Sequence, residues 1–188
     1  MTIELILASS SPRRQEMLRQ VGLNYTIRKA NIDESIVTIN DPKEKVKQLA
    51  ALKGRHVTMA NDEVILSADT VVAYKNHIFE KPKTKDDAYD MIASLSGDIH
   101  DVFTGVMIRS AEREHVFVEQ TEVEFWQLSE QDIQWYIHTD EPYDKAGAYG
   151  IQNLGSILVK RIIGDYFNVV GLPISRVVRE LQTFGVSL

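Results

Sequence analysis

The sequence predicts an α/β protein built on a mixed sheet, and three observations carry that reading. Apolar strand-like runs alternate with segments of helical periodicity along the whole chain. Two long strand candidates, "HDVFTGVMIRS" and "EHVFVEQTEVEFW", are joined by the charged "AERE", which adds an extended antiparallel ribbon to the alternation. No repeat, low-complexity tract or linker-like segment interrupts the 188 residues, so a single domain over 1–188 is expected.

The elements follow in order. "IELILA" reads as a buried strand and "PRRQEMLRQV" as the helix after it. Ser11 is a favourable N-cap and Pro12 suits the first helical position. A strand-like "NYTIRKA" precedes a helix over "DPKEKVKQLAALKGRHVTMA", and the very apolar strand "EVILSA" is expected to end at Asp69 and Thr70. "VVAYKNHIFE" has the alternation and the Lys75-Asn76 turn of a small hairpin. "TKDDAYDMIASLSG" spaces its apolar residues helically and stops at Gly97. After the ribbon, "SEQDIQWYIHT" is a helix capped by Ser129 with Asp132 in its first turn. The irregular "EPYDKAGAYGIQNLGS" leads to a strand "ILVKRIIGD" and a last helix from Pro173 to about Phe184.

Composition excludes several classes of function. The chain is 44% hydrophobic and 26% charged, the balance of a soluble globular protein with a real core. The net charge of −6 argues against a duplex nucleic acid or membrane-surface partner, both of which reward a basic field. No apolar run has the length of a membrane span, and "MTIELILASSSPRR" carries an acid where a signal peptide has a basic region, so the expected location is cytoplasmic. Cysteine is absent, which removes disulfides, thiolate catalysis and the usual zinc sites.

Arg13 and Arg14 then stand out, because they occupy the second and third positions of the first helix. Cations there face the positive end of the helix dipole. Their spacing to Met17, Leu18 and Val21 leans them over the buried face, and the serine-rich turn supplies N–H groups and hydroxyls, so an anion such as phosphate fits between. The same pattern also suits arginines paired with surface carboxylates such as Glu16. The turn is not a Walker A loop, since no Gly-Lys pair occurs in the chain. Asp69, at the end of an apolar strand, sits where α/β proteins place ligand groups, and a carboxylate there can hold Mg²⁺, take a proton from water or simply cap a turn. Asp33 and Glu34 add carboxylates, and Lys53 and Lys81 are pocket cations or solvated surface charges. The five histidines are scattered, with neither an HExxH pair nor a G-x-S-x-G serine to support hydrolysis by a Ser-His-Asp triad.

The blocks "ASSSPRRQEML", "SADTVV", "EKPKTKDDAYDMIASLSGDIHDVFTGV", "EPYDKAGAYGIQ" and "GDYFNVVGLPIS" resemble, in order and over essentially the whole chain, those of the Maf family of nucleoside triphosphate pyrophosphatases. The resemblance implies an elongated mixed sheet flanked by helices with a central cleft, similar to inosine triphosphate pyrophosphatases (Maf/HAM1), usually in a homodimer. It implies release of pyrophosphate from a nucleoside triphosphate with Mg²⁺ or a similar divalent ion such as Mn²⁺. Carried over by position, Ser9, Ser11, Arg13 and Arg14 match the phosphate turn, and Lys53 and Lys81 match basic pocket residues. Asp69 matches the proton acceptor, and Asp33 and Glu34 match an acidic pair near the metal. Ser67 departs from the glycine more usual two residues before that Asp, which implies altered strand-end packing without lost chemistry.

Arg13, Thr70 and Gln152 resemble the set of the dTTP and UTP branch, whereas a 7-methyl-GTP branch tends to carry Trp, Gln and Glu. A glutamine amide offers one donor and one acceptor, which can meet O4 and N3–H of uracil or thymine. Two other readings follow from the same family: a nucleotide-binding regulator of septum formation, and a house-cleaning pyrophosphatase of different base specificity.

Overall fold

The computed structural model describes residues 3–188. Its strands are β1 (Glu4–Leu7), β2 (Thr26–Ile27), β3 (Glu63–Tyr74), β4 (His77–Phe79), β5 (Ile99–Arg109), β6 (Glu114–Phe125) and β7 (Val159–Ile163). Its helices are α1 (Pro12–Gln20), α2 (Pro42–His56), α3 (Lys85–Leu95), α4 (Glu130–Ile137), α5 (Tyr166–Val170) and α6 (Ile174–Thr183). Among the described residues the strands form one seven-stranded sheet in the order β2-β1-β3-β5-β6-β7, with β4 paired to β3. β1 runs parallel to both β2 and β3, whereas β4 on β3 and β7 on β6 are antiparallel. The mixed α/β class read from the sequence is therefore the class of the fold.

The chain divides into two compact units, and β3, β5 and β6 each contribute residues to both. The first comprises residues 1–69, 104–119 and 171–188. Here β1 buries Leu5, Ile6 and Leu7, and α1 buries Met17 and Leu18. α2 starts where its sequence dictates: Asp41 accepts the Glu44 N–H at 2.8 Å, and Pro42 follows it into the first turn. It ends at His56, before the expected "VTMA"; Val57 is extended, and its side chain is buried with Ile6, Ala8 and Ile65. The Ser67 departure has a packing explanation. Ser67 is fully buried, its Oγ donates to the Ala50 carbonyl of α2 at 2.7 Å, and a Cβ on Gly54 would lie 2.7 Å from that oxygen. Gly54 thus makes room for the serine hydroxyl between helix and sheet.

The second unit comprises residues 70–103 and 120–170. Both of its longer helices open with reciprocal capping boxes, Thr84 with Asp87 and Ser129 with Asp132. They bury Ala88, Ile92 and Leu95 from α3 and Ile133, Tyr136 and Ile137 from α4 in one core. Lys75 and Asn76 take φ of 45° and 67°, the positive pair that a tight β3–β4 hairpin requires. The irregular stretch after α4 consists of short 3₁₀ turns at Pro142–Asp144, Ala146–Ala148 and Asn153–Leu158.

Two further expectations are corrected. β3 does not stop at Asp69 but runs to Tyr74, because Val72, Ala73 and Tyr74 pair with β4. What ends is its parallel partner: the β1–β3 register closes at Leu7 with Leu66, so Asp69 still lies beyond the carboxyl end of that parallel pair. The strand-like "NYTIRKA" shrinks to Thr26–Ile27. Just beyond, Arg28 clamps Glu63 with a pair of hydrogen bonds of 2.7 Å each.

That clamp sets an acid limit. The Arg28 hydrogen bonds, followed by the Ala60 N–H, hold the Glu63 carboxyl down at about 2, from an ordinary 4.5. A carboxylate whose folded pKa is depressed contributes stability above its unfolded pKa and loses it as pH falls through the folded value. Urea midpoints measured between pH 5 and 2 are therefore expected to fall more steeply for the native protein than for Glu63→Gln; parallel curves would show that the clamp contributes nothing.

Candidate active site

Residues 8–11 form the turn from β1 into α1. Ser11 occupies the N-cap as expected, but its hydroxyl makes no cap bond, and its N–H donates instead to Ser9 Oγ at 3.2 Å. Ser9 is buried, and its Oγ also accepts from Arg14 Nη1 at 3.3 Å. Arg14 donates further from Nη1 to the Ala68 carbonyl at 2.9 Å and from Nε to the Gly171 carbonyl at 2.8 Å. One guanidinium thus ties the turn to the β3 backbone immediately before Asp69 and to the segment leading into α6. Burial lowers the Arg14 pKa to about 10, with Asp69 and Glu34 pulling it up and Arg13 pushing it further down, so it stays cationic at neutral pH. Glu16, the surface alternative, pairs with Arg19 at 3.1 Å.

Lys53, near the end of α2, faces two carboxylates. Its Nζ lies 2.6 Å from Asp69 Oδ1 and 3.1 Å from Glu34 Oε2, with the lysine and Asp69 side chains only 16% and 13% exposed. Glu34 opens a short 3₁₀ turn whose N-cap is Asp33. The Asp33 carboxylate is taken up locally, accepting from Ser35 Oγ at 2.6 Å and Ser35 N–H at 3.0 Å, which also lowers its pKa. So Glu34 and Asp69 meet on Lys53, while Asp33 shapes the turn that presents Glu34. Among the described residues no three His, Asp or Glu side chains gather into a metal cage. Two carboxylates without a cage suit a hard divalent cation that draws its remaining oxygens from phosphate and water.

Thr70, Lys81 and Gln152 belong to the second unit. Thr70 is half-buried and follows Asp69 directly along β3. Lys81 is exposed between buried Pro82 and Glu80, whose carbonyl accepts the Gly147 N–H at 3.1 Å. That bond joins the Lys81 segment to the loop that carries Gln152, which is half-buried at the start of the Asn153–Leu158 turn. The sequence reading missed the Gly171 and Ala68 carbonyls, because a main-chain acceptor carries no residue-type signal. It also passed over Glu141 and Tyr136, whose positions in or near "EPYDKAGAYGIQ" were the available clue.

A family model described as Maf-like protein matches residues 4–184. The chain belongs to the Maf family. Proteins named dTTP/UTP pyrophosphatase resemble this Maf chain closely. That of Halalkalibacterium halodurans is 48% identical over 184 residues, 97% of each chain. Those of Bacillus pumilus and Bacillus cereus are 47% and 46% identical, covering 98% of this chain and 98% and 97% of theirs. A solved structure of a HAM1 protein from Coxiella burnetii superposes with a TM-score of 0.48 at 14% identity, covering 97% of this chain and 98% of that one.

In this Maf protein Arg14 serves two carbonyls from two different nitrogens of its planar fork, a geometry that the point charge of a lysine ammonium does not reproduce. Arg14→Lys is expected to lower unfolding free energy by about 2 kcal/mol in a denaturant titration. Unchanged stability would mean that the carbonyls of Ala68 and Gly171 do not depend on it.

Proposed function

We propose that the protein hydrolyses dTTP and UTP to the monophosphate and pyrophosphate. The observation that carries the reading is the convergence of Asp69 and Glu34 on Lys53, within electrostatic reach of Arg14, at the carboxyl end of the parallel β1–β3 pair. The names of the similar proteins support the substrate class.

In this reading the triphosphate lies against the Ser9–Arg14 turn. Arg13, Lys53 and Lys81 neutralise its oxygens together with the helix N-terminus, and Arg14 adds field while it holds the turn. Lys53 takes Asp69 Oδ1, which leaves Oδ2 for a water molecule. Asp69 orients that water and accepts its proton as the oxygen bonds to the α-phosphorus. The bond from the α-phosphorus to the bridging oxygen breaks, and its electron pair leaves with pyrophosphate. Positive charge already in place stabilises the leaving group without reorganisation. Glu34 and Asp69 would hold a divalent cation, Mg²⁺ or Mn²⁺, which supplies Lewis acidity when bound.

Thr70 and Gln152 take the nucleoside end. The half-buried Gln152 amide can donate to O4 and accept from N3–H of uracil or thymine. The same reading carries with it a homodimer in the cytoplasm that works as a single functional domain over 1–188, and light scattering checks the first of these. Among the described residues no helix is long and apolar enough to cross a membrane.

Pyrophosphate release from a panel of dTTP, UTP, CTP, ITP and 7-methyl-GTP tests the assignment, with dTTP and UTP expected to lead. Turnover of none of them by pure protein would favour a regulator instead. Asp69→Asn keeps the shape but cannot take the proton, so kcat for dTTP is expected to fall by about 10² to 10⁴. A rate near that of the native protein would remove Asp69 from its role.

A further inference from the structure

Gln152 sits between two stretches of backbone that are held by side chains from earlier in the chain. On one side, the Gly150 N–H donates to the hydroxyl of Tyr136, a fully buried residue of α4, at 3.2 Å. On the other, the carboxylate of Glu141 accepts the Leu154 N–H on Oε1 at 3.0 Å and the Gly155 N–H on Oε2 at 2.9 Å. Glu141 is itself fixed, since Lys145 Nζ donates to its main-chain carbonyl at 2.7 Å. The turn it closes is tight: Asn153 takes φ of 51°, and a Cβ on Gly155 would lie 2.1 Å from the Gly150 carbonyl oxygen and 2.8 Å from the Tyr136 hydroxyl. A carboxylate taking two adjacent N–H groups is a strong, charge-assisted arrangement, and it acts directly behind Gln152.

We propose that Glu141 is a positioning residue for base selection, which fixes the turn after Gln152 so that its amide meets the base of a pyrimidine nucleoside triphosphate in one orientation. The inference rests on the assignment of Gln152 to the base. A pre-formed amide loses little entropy when it binds, whereas a turn that must order itself each time weakens binding and blurs the choice of base. Both carboxylate oxygens of Glu141 are spent on the loop N–H groups of Leu154 and Gly155, so its effect falls on binding more than on turnover.

Glu141→Gln tests this in the full-length protein. The amide replaces one acceptor with a donor that faces an N–H, so the paired arrangement breaks while the volume is kept. Hydrogen exchange at the Leu154 and Gly155 amides is expected to rise by about tenfold or more, with protection in α3 and α4 unchanged. KM for UTP and dTTP is expected to rise about tenfold while kcat falls less than threefold, and the preference over CTP and ITP shrinks. The double variant with Gln152→Ala is expected to be no worse in KM than the weaker-binding single variant. Unchanged exchange at the two amides, or equal losses in kcat and KM, would overturn the proposal. If Gln152→Ala shifts base preference and Glu141→Gln does not, the Glu141 assignment alone is lost. If Gln152→Ala leaves base preference as it was, the reading of Gln152 falls, and the role of Glu141 in selection falls with it.

Discussion

The arrangement of the first unit depends on where a few cations are held inside it. Lys53 reaches from α2 to Asp69 on β3 and to Glu34 in the loop between them, and Arg14 reaches from α1 to the backbone of β3 and to Gly171. Charges this poorly exposed are costly unless they are paired and hydrogen-bonded. The pairing therefore constrains the geometry as much as it stabilises it. Moving α1 or α2 relative to β3 would leave a carboxylate or a guanidinium facing its own desolvation. The hydroxyl of Ser67 and the missing side chain of Gly54 keep α2 at the distance that Lys53 needs.

The second unit solves a different problem. It must present an irregular loop in one conformation, and it does so by satisfying the loop's N–H groups with side chains instead of with secondary structure. Tyr136 and Glu141 serve this purpose, and a packed aromatic group behind them anchors Tyr149. His100 takes part there, its Nε2 lying 2.6 Å from the Tyr149 hydroxyl. Burial pushes the His100 pKa down to about 3, so the ring is neutral and belongs to the core. That fits the failure of any histidine in the sequence to form a catalytic pattern. Gln152 and Lys81 hang from this scaffold, which makes the proposed choice of base a property of loop rigidity.

Much of the fold was legible because its signals are local. Pro12 after Ser11, Ser129 with Asp132 and the Lys75-Asn76 turn each mark an element boundary within three or four residues. What was illegible depends on partners far along the chain. The continuation of β3 past Asp69 needs β4 to pair with it, and the end of α2 at His56 comes from the burial of Val57 against β1 and β3. The short α5 gives too few turns for a period to show. At the candidate site, Lys53, Glu34 and Asp69 could each be named as residue types suited to phosphate chemistry. Their meeting could not be read, since it joins three separate segments. Ser11 is the instructive miss: its place at the helix start was right, yet its hydroxyl makes no cap bond, and its own N–H donates to Ser9 Oγ.

The proposed reaction puts water on the α-phosphorus, and the position of the new oxygen tests it most directly. Hydrolysis of dTTP in heavy-oxygen water, followed by mass spectrometry of the products, locates the bond that forms. One labelled oxygen is expected in the thymidine monophosphate and none in the pyrophosphate. Label in pyrophosphate, or release of free phosphate instead, would place the attack at another phosphorus and contradict it.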